Sequence, residues 1–106
     1  MAKFVLLYSG GSMPEGEAAQ AAVMQAWNAW FGQLGAALVD GGQPFTPQAK
    51  RIGTDGTVSD GAEGTPASGY SIIEAESLES AVAQAKGCPV LQGGAQITVY
   101  ETFPVM

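Results

Sequence analysis

Apolar residues recur at Ala19, Val23, Ala26, Trp27, Trp30 and Leu34, while Gln20, Gln25, Asn28 and Gln33 fall largely elsewhere on the helical wheel. This three-and-four spacing predicts one long amphipathic helix within residues 18–38 that runs straight into a strand. Pro14 suits a first helical turn, because its missing N–H needs no partner there. Ser12 and Glu15 have the spacing of a capping box, and Glu15 and Glu17 suit the positive end of the dipole. Gly35 is a natural stop. Trp27, Trp30 and Phe31 are expected in the core; at the edge of the stripe, Trp27 or Phe31 is also placed to line a pocket.

Ahead of this helix, Phe4-Val5-Leu6-Leu7-Tyr8 is an unbroken apolar run. A half-exposed strand would alternate, so this one is expected to be buried on both faces. Gly10-Gly11-Ser12 makes the turn into the helix. It lacks the lysine of a phosphate-binding loop and the third glycine of a dinucleotide fingerprint. Residues 36–39 read as a second strand, broken by Asp40-Gly41-Gly42 and Pro44. Residues 49–59 read as a hairpin, with a type I′ turn at Asp55-Gly56. Residues 60–68, rich in Gly, Ala, Pro and Ser, form a loop. A strand follows over 69–75. Ser77 is an N-cap for a second helix with Leu78, Ala81, Val82 and Ala85 as its apolar face, stopped by Gly87 and Pro89. Residues 95–102 form the last strand, with Ile97 and Val99 opposed to Thr98 and Tyr100.

This order is the α+β, ferredoxin-like βαββαβ pattern with an inserted β-hairpin: two helices on one face of an antiparallel sheet. Two helices cover only one face, yet the first strand looks apolar on both. The expected cover for the second face is another copy of the chain, giving a homodimer through the sheet face.

Composition supports that picture. The 106 residues suit one domain, 46% of them are apolar, and only 13% are charged. Few charges leave apolar surface to hide. A net charge of −6, with Lys50-Arg51 as the sole basic cluster, argues against nucleic acid and anionic membrane as partners. One cysteine, Cys88, excludes an intrachain disulfide and fits a reducing cytoplasm. The opening apolar run is too short for a signal sequence, and no stretch approaches the roughly 20 apolar residues of a membrane span.

The absence of histidine removes Ser–His and Cys–His nucleophiles and His-based metal sites. No catalytic residue, metal or cofactor is assigned. Cys88, at a helix C-terminal end, reads as a small buried apolar group. Asp40 either forms the turn before Gly41-Gly42 or presents its carboxylate to a pocket from a strand end. Tyr70 and Tyr100 read as wall residues, with hydroxyls tied down or offered to a ligand. Tyr8, Trp27, Asp40 and Tyr70 form the candidate pocket set.

The chain resembles the YCII-related family, specifically its DGPF-domain branch. The resemblance covers nearly all of it: Phe4 to Tyr8, the helix after Pro14-Glu15, Gly69-Tyr70-Ser71-Ile72-Ile73-Glu74, Ser77-Leu78-Glu79, Ala85-Lys86-Gly87-Cys88-Pro89-Val90-Leu91, Gly93-Gly94 and Ile97-Thr98-Val99-Tyr100. It implies a dimeric α+β barrel, two protomers packed sheet to sheet with a pocket near each sheet face. The branch's name-giving motif survives only as Asp60-Gly61, followed by Ala62 and Glu63. Some relatives carry a His–Asp pair with the His near Met24; this chain cannot form it. Three readings remain: a homodimer that binds a small ligand or none, without catalysis; a cofactor-free enzyme with Asp40 as base and a tyrosine as acid; or an accessory subunit that binds another protein.

Overall fold

The computed structural model describes residues 1–62 and 64–104. The strands are β1 (Ala2–Gly10), β2 (Leu38–Asp40), β3 (Lys50–Ile52), β4 (Val58–Asp60), β5 (Ala67–Ala75) and β6 (Ala95–Glu101), and the helices are α1 (Glu17–Leu34) and α2 (Leu78–Ala85). The main sheet is antiparallel in the order β2-β5-β1-β6, and β3-β4 forms a separate hairpin. With the hairpin set aside, this is the ferredoxin-like strand order, and both helices lie on one face.

Strand alternation decides what each face carries. On the helix side Leu6 stands between Ser71 and Val99, Phe4 is paired with Ile73, and Tyr8 stands between Gly69 and Ile97. Phe4, Leu6, Tyr8, Ser71, Ile73 and Ala75 are buried there, closed over by Trp30, Ala81 and Ala85. On the opposite face Val5 stands between Ile72 and Tyr100, and Leu7 between Tyr70 and Thr98. Lys3 faces Glu74 at the far end of that surface. Val5 and Leu7 are only half-buried, because both helices lie on the other side; this is the apolar face that two helices leave uncovered and for which a second copy of the chain is the expected cover.

The apolar stripe of α1 falls as its spacing predicts, with Trp30 buried and Ala19, Val23, Ala26, Trp27 and Leu34 half-buried. Trp30 Nε1 donates to the Gln84 carbonyl at 3.1 Å and ties α1 to α2. The start of α1 differs from expectation. Its N-cap is Gly16, without a side-chain cap. Ser12 is committed elsewhere, its N–H donating to the Gly93 carbonyl at 3.1 Å, so Pro14 and Glu15 precede the helix. Gly35 does end it, and Gly35–Ala37 make one 3-10 turn that delays β2 to Leu38.

Ser77 caps α2 as expected, its Oγ accepting from Ser80 N at 3.1 Å. The apolar face of α2 is narrower than its pattern suggests. Ala81 and Ala85 are buried, but Leu78 and Val82 stay 41% and 37% exposed. The alanine ridge seats the helix close to the sheet and leaves the larger side chains on its shoulder. At the hairpin tip, only Gly56 has positive φ, 87°, while Asp55 does not. Gly53 pairs with Thr57, and Gly56 N donates to Gly53 O at 2.9 Å. This is a three-residue loop closed by a glycine bulge, not a type I′ turn, which needs positive φ at both central residues.

The chain spans 44 × 41 × 18 Å, one helix layer on one sheet layer. Its accessible surface is 7358 Å², against about 5,500 Å² for a folded monomer of this mass. Roughly 1,800 Å² is therefore exposed beyond what a chain of this size normally shows.

Candidate functional site

The four candidate pocket residues form two pairs on opposite faces of the sheet. Tyr8 of β1 and Trp27 of α1 meet between the sheet and the helix. Their rings meet edge to face at 5.8 Å, and Trp27 in turn packs on Trp30 at 5.7 Å and Phe31 at 5.6 Å. Asp40 and Tyr70 lie on the open side, at the edge where β2 pairs with β5.

One turn connects the pairs. Tyr8 Oη donates to Ser71 Oγ at 2.7 Å, and Ser71 Oγ donates to the Gly41 carbonyl at 2.8 Å. The next residue back along the chain is Asp40. Its Oδ1 accepts from Gly42 N at 2.8 Å, so it is the turn-forming aspartate that its setting before two glycines suggests. Gly42 has φ 74°, and a Cβ there would fall on the Tyr70 carbonyl. No other residue fits, and this close approach holds the turn against β5.

The second Asp40 oxygen, Oδ2, faces Tyr70. Tyr70 Oη stands 3.5 Å from Asp40 Oδ2, the long limit of a hydrogen bond. Neither group is fully spent on the other. Phe45 stacks on the Tyr70 ring at 5.9 Å and 26°, anchored by its own N–H donating to Ser68 O at 2.8 Å. Asp40, Tyr70 and Phe45 thus offer an acceptor, a hydroxyl and a two-ring wall on one surface. Asp40 is exposed and Tyr70 half-buried.

Beneath the helices, burial holds the Tyr8 phenol well above its ordinary 10, partly offset by its bond to Ser71. Burial likewise pushes up the Cys88 thiol, which lies beside Tyr8. That pairing of a protonated phenol and a protonated thiol is inert, and it matches a packing role for Cys88. Two surface hollows lie away from Asp40: one of about 550 Å³ at the hairpin base around Pro47, Lys50 and Asp60, and one of about 440 Å³ between α1 and α2 around Trp30, Leu34 and Gln84. Among the described residues no group of three or more acidic or cysteine side chains could hold a metal ion, and no helix is long and apolar enough to cross a membrane.

Phe45 and Ser71 join the candidate site through their contacts with Tyr70, Tyr8 and Gly41, and pattern reading did not single them out. Ser71 had a signal: it is the polar member of an inward-facing series, Gly69, Ser71, Ile73, Ala75, where a hydroxyl needs a partner. Phe45 had none, because its ring reaches Tyr70 only through the bridge that pairs Pro44 with Gly69.

No family model matches the chain, and no curated protein matches its sequence. Two chains of solved structures do match. One is 5-chloro-2-hydroxyhydroquinone dehydrochlorinase (TftG) from Burkholderia phenoliruptrix AC1100, in complex with 2,5-dihydroxybenzoquinone. The likeness has a TM-score of 0.54 at 20% identity and covers 94% of this chain and 93% of that one. At that identity it speaks to architecture: this chain shares with that enzyme an α+β fold of two helices packed on an antiparallel sheet.

Proposed function

We propose that this chain is a YCII-related protein of the DGPF-domain branch that pairs with a second copy through its open sheet face and binds a small ligand beside Tyr70 and Asp40. The observation that carries this reading is the open face itself: Val5, Leu7, Ile72 and Tyr70 make an apolar centre that runs directly into the Tyr70–Asp40 pair. A second copy laid over that centre turns an exposed acceptor and hydroxyl into groups at the wall of an enclosed space, as small-ligand sites require. The structural neighbour holds a small oxygenated ring, and the Tyr70–Phe45 wall suits a planar ligand of that kind. The reading is one of binding, in the reducing cytoplasm that a single buried thiol fits.

The test is a thermal-shift titration with 2,5-dihydroxybenzoquinone, in which binding lifts the melting midpoint by mass action. The wild-type midpoint should rise with concentration, and the rise should shrink in Asp40→Asn and Tyr70→Ala. A wild-type midpoint unmoved at millimolar ligand rejects this ligand class.

A second reading has one observation in its favour, the 3.5 Å Tyr70–Asp40 separation. It leaves Asp40 placed to take a proton and Tyr70 to give one to a substrate seated between them. Turnover that survives in Asp40→Asn would exclude it.

A further inference from the structure

We infer that the β3–β4 hairpin is an arm that docks on a second copy of this chain. The inference rests on the homodimer proposed above and adds to it a second contact, outside the sheet face.

The hairpin has no core of its own. Every residue of β3 and β4 except Ser59 is exposed, and the two strands pack substantially only on each other. An isolated two-stranded hairpin is marginal in water and needs a further surface to hold it. Its apolar residues sit where such a surface would meet them. Ile52 and Val58 are cross-strand partners, and they are 71% and 56% exposed.

Area and charge select a second copy as the occupant. The roughly 1,800 Å² of surplus surface exceeds the ~800 Å² that a standard interface takes from each partner. Apolar sheet and apolar arm together can account for an interface of the larger, permanent kind. The charge is uneven. Lys50 and Arg51 offset Asp55 and Asp60, so the arm is formally neutral while the remaining residues carry the whole −6. Two copies that repel through their bodies meet least resistance where this neutral segment makes the approach. In a two-fold dimer the contact is made twice, once by each arm.

Sedimentation of a dilution series tests it, comparing the wild type with Ile52→Ser/Val58→Ser. Both positions are exposed, so the variant should keep the wild-type far-UV circular dichroism. Its dimer dissociation constant should rise by about a hundredfold or more, since two apolar side chains are lost from each of two arms. A wild-type dimer whose dissociation constant the variant leaves within twofold overturns the arm and spares the sheet-face dimer. A wild type that stays monomeric at high micromolar concentration removes both. Hydrogen exchange on the unaltered protein gives an independent readout. Amide protection in residues 50–60 should increase between dilute and concentrated samples; equal protection at both concentrations rejects the arm.

Discussion

At the scale of single residues, the most consequential group is the chain of hydroxyls from Tyr8 through Ser71 to the Gly41 carbonyl. Its two members are not equivalent. Tyr8→Phe removes one donor and leaves Ser71 still donating to Gly41, a loss of about 1 kcal/mol. Ser71→Ala strands the buried Tyr8 hydroxyl and frees the turn that carries Asp40, which costs about 1–3 kcal/mol. Urea denaturation of the two variants should show Ser71→Ala as the less stable. The same burial makes stability depend on alkaline pH. The folded state holds the Tyr8 proton more tightly than the unfolded chain, whose tyrosine ionises near 10. The unfolded state therefore loses its proton first, and the contribution is complete below that pH and lost as pH rises above it. Cys88 acts in the same direction from its ordinary 9.0 upward. Denaturation between pH 8 and 10.5 should show stability falling, with a limiting slope of ~1.4 kcal/mol per pH unit for each group. Tyr8→Phe should lessen that fall. Some of this was legible beforehand. Asp40 before two glycines announced a turn, and the apolar setting of Cys88 announced burial. The division of Tyr8 and Asp40 between two faces was not, because it depends on which strand pairs with which.

Among the elements, α1 and α2 are joined by Trp30, which is 3% exposed and donates across to Gln84. Trp30→Ala should cost about 3–5 kcal/mol. Trp30→Phe keeps most of the packing, drops the bond and should cost less, a ranking that thermal melts can read. The period of α1 was plain because its apolar stripe touches a continuous core. Its start was not, because Ser12 has a tertiary partner, Gly93, that no local rule contains. The same logic holds at the hairpin tip. Asp55-Gly56 matched a turn signal, but three residues bridge the Gly53–Thr57 pair, and the aspartate instead accepts from Thr57 N at 2.9 Å. Local patterns found the elements; distant partners set their ends.

For the molecule as a whole, the governing quantity is thickness. A slab 18 Å deep has one sheltered sheet face and one bare one. Leu7 sits at the middle of the bare face, between Tyr70 and Thr98. Leu7→Asp should leave the single chain folded, since its side chain avoids the helix-side core, but should shift a dimer to monomer in sedimentation. A variant that dimerises like the wild type would show that the sheet face is not the contact. That one face would be left over was readable from the strand and helix count alone. The exposure of the hairpin was not, because a turn signal locates a hairpin in the chain without saying what it packs against.

The position of β1 has a consequence for how the protein is made. Of the four strands of its sheet it is the first to leave the ribosome, yet both its neighbours, β5 and β6, come later than residue 66 of the sequence. At about 5–20 residues per second, the greasy segment from Phe4 to Tyr8 waits seconds for β5 and longer for β6. A nascent chain stalled at Gly94 should remain open to protease, and one released after Glu101 should not.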